Sequence, residues 1–273
     1  MRARFGTRTG ELILMPDESS RFVGIKLVSW ATRNPERGLP AVQGVFLLMD
    51  SSSLSPIAMI DAAELTLIRT SAMSVLVASD LNPAPTPRVA VIGSGPQAIA
   101  HAAAARLLRP ESVTVLVRSE AAAARALVVA SDRGVDVHVE VIGAAPDKVG
   151  RADVVFSCTA AREPILRSED IGDDCVVVGM GSHEPAAREL SGDLMRRAFV
   201  VVDSARLARA EAGDVILAEA EFREPVIDAD VVDVLTGVVP IPSGRPRLFK
   251  SVGEAWQDLA VASAVADLSP STI

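Results

Sequence analysis

The sequence RVAVIGSGPQAIAHAAA spans positions 88–104 and joins an apolar run to a glycine-containing turn and an alanine-rich stretch. The apolar run predicts a short buried strand, and the alanine-rich stretch predicts a helix. In a GxGxxA turn the first glycine makes the bend, the second lets a pyrophosphate approach the backbone, and a small third residue lets the helix pack on the strand. Free amides at the helix start then face the anion. We therefore expect dinucleotide binding at Gly93, Ser94, Gly95, Pro96, Gln97 and Ala98.

Strands and helices alternate on the C-terminal side of this turn. Apolar runs predict strands at 113–117, 135–141, 153–156, 175–178 and 199–202. Alanine-rich or helically spaced segments predict helices at 97–108, 120–130 and 187–197. Alternation of this kind indicates a parallel sheet with right-handed crossovers.

The flanking segments have a different pattern. They predict strands of a separate sheet at 12–15, 22–29 and 42–49, and helices at 61–78 and 252–268. The segment NPAPTP at 82–87 has three prolines, which suit neither a helix nor a central strand, so we expect a linker there. The predicted fold class is α/β, with a Rossmann dinucleotide-binding domain at 83–205 inserted into a discontinuous α+β domain formed by 1–82 and 206–273.

Composition restricts the partners and the compartment. A formal charge of −8 argues against nucleic acid or an anionic membrane as the main partner, because both attract a concentrated positive face. The apolar runs fall short of the roughly 20 residues that cross a bilayer, and no leader opens the chain. Two cysteines suit a reducing compartment, and the three histidines lack metal-ligand spacing. We expect a cytoplasmic protein with no metal.

The cofactor preference is predicted from the end of the second strand. Arg118 and Ser119 follow Val117, at the position where an acid would bind a ribose 2′-hydroxyl and an arginine would bind a 2′-phosphate. We therefore favour NADP(H) and keep NAD(H) as an alternative. An arginine on a solvated loop would give the same pattern. Thr159 completes the expected cofactor-binding set.

Further motifs occur in a fixed order along 15–258. They are GIK at 24–26, Asn34 with GLP at 38–40, IRTSA at 68–72, the turn at 93–98, GSHEPAAREL at 181–190, VDS at 202–204, EAGD at 211–214 and FKSVG at 249–253. In these motifs the chain resembles the ornithine cyclodeaminase/mu-crystallin family. The resemblance implies a homodimer in which the first and last segments form a substrate-binding and dimerisation domain.

The resemblance also assigns roles to two basic residues. Arg69 matches the family arginine that holds the substrate carboxylate, and Lys26 matches a lysine at the substrate. A guanidinium can bind a carboxylate through two parallel hydrogen bonds, and a desolvated lysine can act as an acid or base near neutral pH. The residues alone leave other interpretations open: Lys26 could point to solvent, and Arg69 could pair with Glu64 or Asp61 on its own helix.

Two departures from the family pattern affect the expected reaction. His183 stands where cyclodeaminases carry an aspartate, and it can move protons but offers no permanent negative charge to an ammonium group. Glu184 could supply that carboxylate. The family also has several tens of residues before the Met15-Pro16 motif, including another substrate arginine whose place Arg2 or Arg4 could take. The alternative is a misassigned start or a trimmed domain, which would impair dimerisation or substrate affinity.

The resemblance, together with these residues, implies hydride transfer between NADP(H) and the α carbon of a small amino or cyclic imino acid. Lys26 and His183 are the expected catalytic residues, and Arg69, Lys26 and Glu184 the expected substrate-binding residues. Reduction of a preformed imine, as by a ketimine or pyrroline-2-carboxylate reductase, is favoured over ornithine or lysine cyclodeamination and alanine dehydrogenation. The mu-crystallin resemblance adds a further alternative, a non-catalytic NADP-dependent binder of a small ligand.

Overall fold

A computed structural model describes residues 2–142 and 149–268. The chain forms two compact units, one from Met1–Thr70 with Gly253–Ile273 and the other from Ser71–Val252. The expected boundaries therefore shift at both ends. Of the tail expected at 206–273, only the part from Gly253 onward joins the N-terminal unit, because the preceding segment adds strands to the parallel sheet.

The N-terminal unit contains an antiparallel sheet of five strands in sequential order. They are β1 (Ala3–Gly6), β2 (Glu11–Glu18), β3 (Phe22–Trp30), β4 (Val42–Asp50) and β5 (Pro56–Asp61). The sequence predicted the three central strands and missed β1 and β5 at the two edges. The C-terminal helix α8 (Ala255–Leu268) packs against β2, β3 and β4. Its contact face contributes Leu259 and Ala262 to a core that includes Phe46 and Leu48.

The second unit contains a parallel sheet of eight strands. They are β6 (Arg88–Ile92), β7 (Ser112–Val117), β8 (His138–Val141), β9 (Val154–Ser157), β10 (Val176–Gly179), β11 (Phe199–Val202), β12 (Ala229–Asp230) and β13 (Arg247–Lys250). Their order across the sheet is β12-β11-β13-β10-β9-β6-β7-β8. The strands β9, β10 and β11 are buried throughout, as expected of strands covered on both faces. This architecture confirms the Rossmann-type prediction.

Helices connect these strands and close the core. They are α1 (Ala62–Leu81), α2 (Pro96–Ala104), α3 (Glu120–Asp132), α4 (Gly192–Arg197), α5 (Ala205–Glu211), α6 (Gly213–Phe222) and α7 (Val231–Leu235). The helix expected at 187–197 is confined to α4, and the strand expected at 135–141 is confined to β8. Residues 181–191 form instead a loop whose amides are bonded to buried carboxylates.

The proline-rich segment 82–87 ends a helix and does not divide the two units. The helix α1 runs unbroken to Leu81, and its second half buries Val77 and Leu81 in the core of the parallel sheet. Proline stops a helix whether or not a domain ends there, so the composition indicated the helix end alone. Within the described residues α1 also has the length and hydropathy of a membrane span, but 61% of that window is buried, as in the core helix of a globular protein.

Candidate active site

Lys26 lies on the buried face of β3. Alternate residues of this strand point into the core, and the Lys26 side chain is 3% exposed. Its Nζ lies 2.8 Å from Asp258 Oδ2 and 3.0 Å from Asp258 Oδ1, on α8. Thr66 Oγ1 lies 3.4 Å from the same nitrogen. The alternative in which Lys26 points to solvent is therefore wrong.

Arg69 approaches the same carboxylate from α1. Its Nε lies 3.3 Å from Asp258 Oδ1, an ionic contact outside hydrogen-bond alignment, and its Nη1 donates to Gln257 Oε1 at 3.0 Å. The alternative pairing of Arg69 with Glu64 or Asp61 is thus wrong. Gly253 makes room for the guanidinium: at its φ of +78° a Cβ would come 2.6 Å from Nη2 and 2.8 Å from Cζ of Arg69.

A second arginine belongs to this cluster. Arg2 Nη2 donates to the carbonyl of Gly253 at 2.6 Å, next to the Arg69 guanidinium. Arg4, the other expected replacement, instead pairs with Glu11 at 3.2 Å. Of the two N-terminal arginines, Arg2 is the one that the structure brings to Arg69.

The electrostatics of the cluster favour an anionic ligand. Burial, the largest cause, and the positive charge of Arg69 together lower the pKa of Lys26 to about 8, against the opposing effect of Asp258. The charge of Arg2 also lowers it. Two buried cations, Lys26 and Arg69, therefore share one carboxylate, and a second carboxylate would relieve their mutual repulsion.

Sequence reasoning missed Asp258 as a functional residue. The signal is helical spacing, because the buried apolar residues Ala255, Leu259 and Ala262 place position 258 on the inward face of α8. An acid on that face is fully buried and requires a cationic partner.

The turn between β6 and α2 has the geometry that dinucleotide binding requires. At the φ of +140° of Gly93, a Cβ would come 2.5 Å from the carbonyl oxygen of Cys158 and 3.2 Å from Cβ of Ala98. Gly95 is the N-cap of α2 in an extended conformation, and a Cβ there would enter open space. A ligand can therefore approach the backbone at Gly95 as it does in a Rossmann fold.

The other expected cofactor residues lie just after the carboxyl ends of β7 and β9, the two strands that flank β6. Arg118 is exposed directly after β7, and the Ser119 hydroxyl caps α3 by accepting from the amide of Ala122 at 3.3 Å. Thr159 follows β9 and donates its hydroxyl proton to Glu189 Oε1 at 2.6 Å. The same hydroxyl oxygen accepts from the Ala161 amide at 3.2 Å, so the protein itself already uses the hydroxyl both as a donor and as an acceptor.

The two expected site residues of the 181–190 loop, His183 and Glu184, lie in different environments. His183 is partly buried, and its Nδ1 lies 3.2 Å from the carbonyl of Gly181. Glu184 forms a surface ion pair with Arg162 at 2.9 Å. That pairing neutralises the charge expected to attract a substrate ammonium. Within the described ranges, no group of three or more His, Cys, Asp or Glu side chains could hold a metal ion.

A parallel sheet with this turn, in a chain that also clusters buried basic residues beside one carboxylate, defines a nicotinamide-dependent oxidoreductase of small carboxylic acids. The profile of the ornithine cyclodeaminase/mu-crystallin family matches residues 1–272, and the chain belongs to that family.

Relatives with known activities and relatives with solved structures agree with this family assignment. The chain is 32% identical over 259 residues to Delta(1)-pyrroline-2-carboxylate reductase 1 of Burkholderia multivorans, covering 94% of this chain and 80% of that protein. The solved Thermococcus litoralis Delta(1)-pyrroline-2-carboxylate reductase, in complex with NADH and L-proline, is 25% identical with a TM-score of 0.87, covering 98% of this chain and 86% of that one. An archaeal alanine dehydrogenase dimer with bound NAD is 26% identical with a TM-score of 0.87, covering 99% and 85%.

Proposed function

We propose that this chain reduces a small cyclic imino acid of the Δ1-pyrroline-2-carboxylate type with NAD(P)H. The observation that carries the proposal is the buried cluster in which Lys26 and Arg69 share Asp258. This cluster offers positive charge for a carboxylate and a proton for an imine nitrogen. The reductase activity named for the Burkholderia relative, and the L-proline bound to the Thermococcus enzyme, support the same substrate class.

The residues of the β6–α2 turn fit a nicotinamide dinucleotide. The open space at Gly95 and the start of α2 would receive the pyrophosphate, with Ser94, Pro96, Gln97 and Ala98 completing the turn. The cofactor supplies the hydride when bound. Arg118 and Ser119 would face the adenosine ribose, and Arg118 favours a 2′-phosphate.

Arg69 and Arg2 would hold the substrate carboxylate. A guanidinium gives directional, charge-assisted hydrogen bonds, and Gln257 and Gly253 fix the orientation of Arg69. Lys26, in its ammonium form, would give its proton to the imine nitrogen, and a protonated imine accepts hydride at carbon more readily. With a pKa of about 8, Lys26 can give up this proton near neutral pH.

His183 is proposed as a second proton carrier, because an imidazole can both accept and donate a proton and this side chain is only partly buried. Glu184 has a weaker claim to a substrate role, since Arg162 already pairs with it. Because neither His183 nor the paired Glu184 offers a free negative charge to a substrate ammonium, imine reduction is favoured over ornithine cyclodeamination.

A homodimer is proposed as the working assembly. One face of the N-terminal sheet exposes apolar side chains, and the strand register places all of them on that face: Phe5, Leu12, Leu27, Val45 and Met59. Exposed apolar rows of this kind mark protein interfaces, and the archaeal alanine dehydrogenase relative is a dimer. A cytoplasmic location is proposed with it, because both cysteines are free thiols.

The test is an assay of the purified protein with NADPH and with NADH. We expect Δ1-pyrroline-2-carboxylate to consume cofactor stoichiometrically, and faster with NADPH than with NADH. Ammonia released from ornithine without net cofactor consumption would instead identify a cyclodeaminase, and oxidation of L-alanine an alanine dehydrogenase. Tight NADPH binding with no turnover of any of these substrates would identify a non-catalytic binder.

A further inference from the structure

Three of the ordered sequence motifs meet in one buried cluster of the second unit. Glu189, Asp214 and Lys250 come from GSHEPAAREL, EAGD and FKSVG, and all three side chains are fully buried. Lys250 Nζ lies 3.0 Å from Asp214 Oδ2. Asp214 Oδ1 accepts from the amides of Glu189 at 2.7 Å and Leu190 at 2.9 Å. The ion pair therefore anchors the chain at position 189.

The Glu189 carboxylate joins two loop segments. Its Oε1 accepts from Ser157 Oγ at 2.7 Å, from the Thr159 amide at 2.9 Å and from Thr159 Oγ1 at 2.6 Å. Its Oε2 accepts from the Gly181 amide at 2.6 Å. The two segments follow β9 and β10, which are neighbours in the sheet. One carboxylate thus fixes the chain at the carboxyl ends of two adjacent strands.

The first of these segments supports the dinucleotide turn directly. Ser157 and Thr159 flank Cys158, whose amide donates to the carbonyl of Ile92 at 2.8 Å. The Cys158 carbonyl occupies the space that a Cβ on Gly93 would need. A shift of this segment would therefore displace the first glycine of the turn.

The second segment carries His183. Glu189 holds the Gly181 amide, and the Gly181 carbonyl in turn faces His183 Nδ1 at 3.2 Å. The loop is closed further along by a hydrogen bond from Ser182 Oγ to the Ala187 carbonyl. There is no room for a side chain at 181, because a Cβ would come 2.6 Å from Glu189 Oε1.

We propose that Glu189 is a positioning residue for hydride transfer. It holds the 157–159 segment against the dinucleotide turn, and it holds Gly181, which in turn orients His183. The inference rests on the proposed function, and it adds a role for a side chain that contacts neither cofactor nor substrate. Small displacements of reacting groups reduce rates steeply, so a buried hydrogen-bonding network at this place acts on catalysis as well as on stability.

Glu189→Gln is the direct test. An amide keeps the size of the side chain but replaces an acceptor oxygen with a donor, which must then face either the Gly181 amide or the donors around Oε1. We expect the Kd for NADPH, measured by fluorescence titration, to rise about 10-fold and kcat to fall about 10- to 100-fold. The KM for the imino acid should change little, because Arg69 and Arg2 belong to the other compact unit.

Glu221→Gln is the matched control. Glu221 pairs with Arg188 of the same loop at 2.8 Å but is half exposed, so its loss should leave the Kd and kcat unchanged. If Glu189→Gln fails to fold, Ser157→Ala replaces it. That variant removes one donor and should raise the Kd several-fold at a nearly constant melting temperature.

The outcomes are distinct. A Glu189→Gln protein with a lowered melting temperature and unchanged Kd and kcat, or a Ser157→Ala protein with the same combination, overturns the positioning role. A wild-type protein that binds NADPH but reduces no imino acid overturns the proposed function, and the NADPH Kd of the variants then decides the inference by itself. A wild-type protein that binds no nicotinamide dinucleotide overturns both.

Discussion

Asp258 carries one negative charge against the two side-chain cations that contact it. Lys26 and Arg69 are both at least nine-tenths buried, so neither regains the hydration that it loses on folding. Removing a charge from water is costly unless partners compensate, and here the compensation is incomplete. A substrate carboxylate completes it, which is why the cluster suits an α-imino or α-amino acid.

Substitution of Arg69 tests the carboxylate role. Arg69→Ala should lower kcat/KM for the imino acid on the order of 100-fold, because a buried charge-assisted contact is lost. Steady-state kinetics measure this effect, and thermal melting measures the effect on folding. Arg4→Ala is the control: it removes an arginine from a partly exposed ion pair, and kcat/KM should stay within about twofold of wild type. A fall in activity that only follows the fall in melting temperature would count against the role.

The lowered pKa of Lys26 predicts opposite pH profiles for the two directions of the reaction. Imine reduction uses the ammonium form, so its kcat/KM should decline as the pH rises through about 8. Oxidation of the cyclic amino acid uses the free amine and should increase through the same pH. Rate profiles in both directions measure this. Lys26→Met should abolish the transition near pH 8, and a transition that persists in this variant assigns it to another group.

The lowered pKa of Lys26 also makes the stability of the protein depend on pH. Because the folded value of about 8 lies below the ordinary 10.5, the unfolded chain binds more protons between these values. The free energy of unfolding therefore increases, and the folded state becomes more stable, as the pH rises from about 8 towards 10.5. Burial thus gives Lys26 its reactivity at the expense of stability at neutral pH.

The two glycines of the turn between β6 and α2 have different roles, one in folding and one in ligand binding. Gly93 has a φ of +140° and meets the carbonyl of Cys158, whereas Gly95 borders open space. The first glycine is thus required by the protein's own backbone. The second leaves room for a ligand.

Alanine substitutions at these glycines should differ accordingly. Gly93→Ala should lower the melting temperature by several degrees, since ~1–3 kcal/mol of backbone strain is added to a steric clash. Gly95→Ala should melt like wild type but bind NADPH at least about 10-fold more weakly, because its methyl group fills the approach to the backbone. Thermal melts and fluorescence titration separate the two effects. Unchanged NADPH affinity in Gly95→Ala would place the pyrophosphate elsewhere.

For the whole molecule, the apolar face of the antiparallel sheet is the feature that remains to be covered. Its opposite face is filled by α8 and the Phe46 core, so the sheet satisfies one side within the chain. Antiparallel sheets that face water usually alternate apolar and polar residues. Leu27 and Val45 are more than one-third exposed and paired across β3 and β4, which favours a second copy of the chain as the cover.

Leu27→Glu should dissociate the proposed dimer, because it puts a charge into the centre of this face. Sedimentation velocity would show a shift from dimer to monomer with no loss of helical signal by circular dichroism. The control is Leu107→Glu, which changes a leucine that is 76% exposed in the other unit and should leave the assembly unchanged. A wild-type protein that sediments as a monomer would remove the basis for this expectation.

The sequence predicted local features well. The strand–turn–helix at 88–104, the alternation of strands and helices after it and the three central strands of the first sheet were all present in the order of residues. Each arises from a periodicity of two or of 3.6 residues, or from the geometry that glycine allows over a few positions. These signals are confined to short stretches, so they can be interpreted without knowledge of the fold.

Such short-range patterns could not predict which residues distant in sequence come together in the fold. Lys26 and Asp258 lie 232 residues apart in sequence, and nothing near either residue indicates the other. The strand β13 was missed because only its two central residues, Leu248 and Phe249, are apolar, yet it lies between β10 and β11 and carries Lys250 into the core. Glu189 looks like a loop acid in the sequence. Its burial among four donors depends on which strands become neighbours, and only the packing of the folded chain selects those neighbours.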